Sequence, residues 1–129
     1  VATYQAVSGT GKSAISELAA QTARLLNGQP AETKVYPKQI AFNALPQIDT
    51  FQENGYTREE MKMVWETQKI LEDDTIMVNP TCVRIPVFYA HPEAIHLETR
   101  ELITSEQATA LLGSAPGVEV VIPRVTDLA

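Results

Sequence analysis

The spacing of apolar and polar positions changes several times along this chain, and each change marks an element. Residues 1–7 combine Val1, Thr3, Tyr4 and Val7 and predict a strand already under way at the first residue. Ser8-Gly9-Thr10-Gly11 then supplies turn chemistry. After it Ile15, Leu18, Ala19, Thr22, Leu25 and Leu26 recur at helical spacing and predict an amphipathic helix ended by Asn27-Gly28. Residues 29–37 carry Pro30 and Pro37 among polar side chains and predict a loop, and residues 39–45 predict a strand stopped by Pro46. Thr57 and Glu60 have the spacing of a capping box, so a second helix starts there, with Met61, Val64, Trp65 and Leu71 as its buried stripe. Residues 76–78, 82–89, 95–99 and 118–122 predict further strands, interrupted at Asn79-Pro80 and His91-Pro92 and stopped at Pro123. Thr104 and Gln107 predict a second capping box for a helix over 104–112, closed by Gly113. Three helices alternating irregularly with strands predict an α+β fold, a mixed, largely antiparallel sheet with helices packed on one face. A sheet covered on one face leaves the other for something else to bury, which favours an oligomer.

Composition narrows the function classes. A chain of 129 residues with 44% hydrophobic and 20% charged residues has the make-up of one domain with its own core. A net charge of -6 works against nucleic acid as a partner, because that affinity comes from lysine and arginine neutralising phosphates. No apolar run approaches the roughly 20 residues that span a bilayer, and no basic-then-apolar leader opens the chain, so the sequence reads as soluble and cytoplasmic. Cys82 is the single cysteine, which rules out an internal disulfide and a multi-cysteine zinc site. The abrupt strand at Val1 and the short tail after Pro123 both look like cuts in a longer protein.

Three motifs carry candidate chemistry. The first, Ala6-Val7-Ser8-Gly9-Thr10-Gly11-Lys12-Ser13, ends like a phosphate-binding P-loop but has Ala6 where that pattern needs glycine. What remains is either a glycine-rich turn offering N–H groups to an anion or an ordinary helix entry. On the second helix Glu59, Lys62, Glu66 and Lys69 fall three and four apart. That spacing suits a solvated charge stripe, and equally a carboxylate and an ammonium holding the two ends of an amino-acid-like substrate. The third motif runs from Thr81 to His91 as an apolar segment with Arg84 inside it. The planar fork of Arg84 matches a carboxylate, and His91 could move a proton; alternatively Arg84 packs its stem with its head in water and His91 sits at a turn. Cys82 reads as a core residue rather than a nucleophile, and His91 with His96, five apart on a strand, would point to opposite faces and bind no metal.

Together these motifs resemble one family, the bacterial aspartate-semialdehyde dehydrogenases. The likeness is carried by residues 3–12, by Glu59-Glu60-Met61-Lys62 through Leu71, and by Cys82-Val83-Arg84 through His91. The resemblance implies a truncated catalytic and dimerisation domain like the C-terminal domain of glyceraldehyde-3-phosphate dehydrogenase, with the nucleotide-binding domain and an Asn-Cys-Ser/Thr nucleophile outside the chain. It implies reduction of aspartyl phosphate with NADP as cofactor to aspartate semialdehyde and phosphate, through a cysteine thioester, in a homodimer. By position it makes His91 the general acid/base and Gln5 the residue that orients substrate near the nucleophile. Arg84 and Glu59 become partners of the substrate carboxylate and ammonium, Lys62 part of the phosphate site, and Ser8, Gly9 and Gly11 the turn against the cofactor. The alternatives are a non-catalytic interaction module of the same family and an acyl-phosphate reductase with another substrate. One tension stands out: an unbroken strand would put Arg84 and His91 about 23 Å apart on opposite faces, so the chain must bend between them.

Overall fold

The computed structural model describes residues 1–121, divided into a unit of residues Val1–His96 and a second unit that begins at Leu97. In the first unit β1 (Ala2–Gln5) is followed by a 3₁₀ turn (Val7–Thr10), α1 (Lys12–Leu26), α2 (Arg58–Leu71), β2 (Thr81–Arg84) and β3 (Glu93–Ala94). These strands make a mixed α+β sheet in the order β2-β1-β3, β1 running parallel to β2 and antiparallel to β3. The register sets Gln5 beside Arg84 and Thr3 beside Cys82. Thr3 and Gln5 are buried on one face of β1 while Tyr4 is exposed, as the two-residue period of a strand requires.

The core lies next to the sheet, where Val7 of the 3₁₀ turn meets Ala14 and Leu18 of α1 and Ile40, Ala41 and Leu45 of the following loop. Asn27 and Gly28 end α1 as expected, with Gly28 at φ +69°. The buried face of α1 matches the predicted stripe in part, with Leu18 in the core and Ile15 and Leu25 packed against it. Its buried positions are Ala14, Glu17, Leu18 and Gln21, whereas Ala19 and Leu26 are exposed. Glu17 and Gln21 are there because they replace a strand partner for the loop. The Glu17 carboxylate accepts the backbone N–H groups of Lys34, Val35 and Tyr36. Gln21 Oε1 accepts those of Ile40 and Ala41 at 2.9 and 3.1 Å, and its Nε2 donates to the Glu32 carbonyl at 2.8 Å.

Residues 39–45 are therefore not the expected strand; only Leu45 forms a bridge, with Arg84. Residues 76–78 and 95–99 also lack strand pairing, and the segment expected as a strand over 82–89 stops at Arg84, just ahead of Pro86. Both capping boxes form. Thr57 N–H donates to Glu60 Oε2 at 2.7 Å, and Thr104 N–H to Gln107 Oε1 at 2.9 Å. Among the described residues the stripe on α2 is only partly covered: Met61 and Val64 are half-buried, while Trp65 is 50% and Leu71 60% exposed. In the second unit α3 (Ser105–Ser114) runs through Gly113 rather than ending before it, and residues 118–121 are not a strand. The remaining expectations, for Ile122 as strand and Pro123 as its stop, lie outside the described residues.

Candidate functional site

The end of β1 gathers the candidate residues from three directions. Gln5 is buried, and its Nε2 donates to Thr3 Oγ1 and to Glu59 Oε1 of α2, each at 3.2 Å. Lys62, one turn along α2, pairs with Glu59 Oε2 at 3.2 Å. Glu59 lies in the first turn of α2, which the Thr57–Glu60 box caps. The hydrogen bond and charge of Glu59 hold the Lys62 ammonium above its ordinary pKa, with Glu66 and Asp49 adding to the effect. Its positive charge, and any anion affinity it provides, would therefore persist at neutral pH and be lost only as pH rises past that raised value. Glu66 and Lys69 form no ion pair among the described residues, where the pairs are Arg24–Glu32, Lys34–Glu32 and Lys62–Glu59.

Ala6, the next residue of the chain, holds the other two. Arg84 Nη1 donates to the Ala6 carbonyl at 2.7 Å, and Ala6 N–H donates to His91 Nδ1 at 3.3 Å. The bend that the sequence required lies between them. After Pro86 the chain turns back along the 3₁₀ turn, with Val7 N–H on the Val87 carbonyl and Ser8 N–H on that of Phe88, and Ala90 takes φ +72°. A backbone N–H can only donate, so Nδ1 of His91 is the acceptor and the neutral ring carries its proton on Nε2. Arg84 is 6% exposed and has no carboxylate partner among the described residues. A buried guanidinium without a counter-charge has the chemistry to accept an anion.

The Ser8–Gly11 segment closes on itself, Gly11 N–H donating to the Ser8 carbonyl at 2.9 Å. Gly9 is the member that faces the site: a Cβ there would lie 3.2 Å from Arg84 Nη1 and 3.5 Å from His91 Nε2. Gly11, at φ +101°, faces open space. Cys82 is fully buried, and burial pushes its thiol pKa up, the reverse of what a thiolate nucleophile needs. Sequence reasoning overlooked Thr3 and the Ala6 backbone, although polar residues at alternate positions of a short strand were a signal for Thr3. It also missed Asp49, which shares with Arg84, Thr10 and Tyr36 the lining of a cavity of about 230 Å³.

Residues 1–128 match the family described as semialdehyde dehydrogenase, dimerisation domain. The chain is 70% identical over 121 residues to an aspartate-semialdehyde dehydrogenase of Legionella pneumophila, a match that takes in 94% of this chain and 35% of that protein. It is 64% identical to aspartate-semialdehyde dehydrogenase 2 of Vibrio cholerae, over 93% of this chain and 36% of that protein. The crystal structure of the Vibrio cholerae aspartate semialdehyde dehydrogenase II complexed with ASA superposes with a TM-score of 0.90, at 64% identity, over 92% of this chain and 35% of that one. The chain thus spans about a third of the length of the relatives it matches. With the fold, the order of the motifs and the match over 128 residues in agreement, the chain belongs to the semialdehyde dehydrogenase family as a dimerisation domain similar to that of the aspartate-semialdehyde dehydrogenases.

Proposed function

We propose that this chain is the substrate-binding part of an NADP-dependent aspartate-semialdehyde dehydrogenase. The whole enzyme reduces L-4-aspartyl phosphate to L-aspartate 4-semialdehyde and phosphate through a cysteine thioester, on a cysteine this chain does not carry. That reaction serves lysine, diaminopimelate, threonine and methionine biosynthesis in the cytoplasm. The observation that carries the reading is that Gln5 has on one side a buried Arg84, without a carboxylate partner among the described residues, and on the other a partly buried Glu59, with His91 on the adjoining Ala6. A cation and an anion that both neighbour Gln5 suit the carboxylate and ammonium of an α-amino acid, and neither an aldehyde nor a phosphate alone would need both. Lys62 is left to meet phosphate, and Gln5 to orient the reacting carbonyl. His91, with its proton on Nε2, is the donor to the oxygen that gains negative charge during reduction.

The Ser8, Gly9 and Gly11 turn fits a flat cofactor contact, because it is largely exposed and lacks side chains at two of its positions. NADP, when bound, supplies the hydride. Homodimerisation is part of the proposal. It is supported by the family's description and by the apolar stripe of α2 left partly exposed in this chain. Among the described residues no helix is long and apolar enough to cross a membrane.

The test uses the full-length protein, assayed for phosphate-dependent NADP reduction with the semialdehyde. Arg84→Lys should lower kcat/KM about 10- to 100-fold, since an ammonium cannot both hold Ala6 and grip a carboxylate with two parallel bonds. Glu59→Gln should raise KM for the amino-acid substrate. If both variants keep wild-type kinetics, the substrate assignment is wrong. Gly9→Ala is expected to cost on the order of tenfold in kcat/KM with little change in Tm. Its methyl group would press on Arg84 Nη1, which its bond to Ala6 at 2.7 Å keeps from moving aside. Unchanged kinetics for that variant would show that Arg84 is not held as tightly as its burial indicates.

A further inference from the structure

We infer that Glu60 is a positioning residue that fixes the distance between Glu59 and Arg84, beyond its part in the capping box; the inference rests on the substrate-site reading above. Its two carboxylate oxygens point to different elements. Oε2 accepts the N–H and hydroxyl of Thr57 at 2.7 and 2.9 Å, while Oε1 accepts the backbone N–H of Cys82 at 3.2 Å. Cys82 lies on the free edge of β2, two residues before Arg84, and its side chain is fully buried. On that edge Arg84 exchanges backbone hydrogen bonds with Leu45, 2.9 Å in each direction. Glu60 does for Cys82 what Leu45 does for Arg84, giving the edge strand an acceptor. Glu59 is the residue before Glu60, so a path of one hydrogen bond and a few covalent bonds joins the anion of the site to its cation. A helix cap alone would need only one oxygen of Glu60.

Glu60→Gln separates the two roles. Glutamine is as good as glutamate in the capping box, but it has one acceptor oxygen, and its amide NH₂ would face the Cys82 N–H, donor against donor. The start of α2 should then drift from β2 and carry Glu59 and Lys62 with it. In the full-length enzyme KM for the amino-acid substrate and for phosphate should rise about five- to tenfold while kcat, which depends on His91 of another segment, stays within about twofold. Thr57→Ala is the comparison, since it weakens the cap and leaves the Cys82 bond in place; it should lower Tm without moving KM. If both variants lower Tm and neither moves KM, Glu60 is only a cap. Glu59→Gln is measured alongside: a raised KM there with a silent Glu60→Gln overturns the positioning role, whereas a silent Glu59→Gln overturns the substrate reading beneath it.

Discussion

Replacing His91 by Asn in the full-length enzyme is expected to lower kcat about 10²- to 10⁴-fold, the usual range for a lost proton donor, while KM changes little. The substitution is chosen because the asparagine carbonyl can still accept the Ala6 N–H that now goes to Nδ1, so the bend after Pro86 keeps its anchor. Arg84 keeps its own bond to the Ala6 carbonyl. What disappears is the protonated nitrogen facing Gly9. His91 is exposed, and its loss should leave Tm nearly unchanged. Steady-state kinetics with a thermal melt on the same preparation check both halves. A kcat reduced by less than tenfold would remove His91 from the chemistry.

The second large effect is on stability and lies away from the chemistry. Gln21→Leu should destabilise the fold by about 3 kcal/mol, seen as a lower urea midpoint with an unchanged slope. Gln21 is 1% exposed, and its amide serves the N–H groups of Ile40 and Ala41 and the carbonyl of Glu32. Leucine has about the right volume but leaves the buried N–H groups of Ile40 and Ala41 unpaired, at roughly 1–3 kcal/mol each, and its own burial offsets only part of that. A midpoint equal to that of wild type would mean that water reaches the loop and replaces the side chain. The magnitude is large because the loop over residues 39–45 has no sheet to fall back on.

That same loop shows where sequence reading gave out. A run containing Ile40, Phe42 and Leu45 has the make-up of a strand, and nothing local reveals that its hydrogen bonds end on a side chain about 20 residues earlier. Both capping boxes and the Asn27-Gly28 stop were legible because each is complete within a few residues. The stripe on α2 was read with the right period, yet periodicity says that a face will be covered and not by what. The site was legible only as separate residues. Glu59 and Lys62 announced their pairing through helical spacing, whereas Arg84 and His91 gave no sign that both would lean on the backbone of Ala6. Main-chain donors and acceptors carry no residue signature, so a site assembled on them is invisible until the fold is known.

The central strand has its partners far down the chain, and this matters during synthesis. Ala6 is 78 residues from Arg84 and 85 from His91. At bacterial translation speeds of about 5–20 residues per second, β1 would leave the ribosome roughly 4–17 s before the segments that pair with it. Over that interval β1, whose Thr3 and Gln5 end up buried beside Cys82 and Arg84, is without either of its strand partners. Closure of the sheet therefore waits until β3 (Glu93–Ala94) has been made, and a slower ribosome would lengthen that wait.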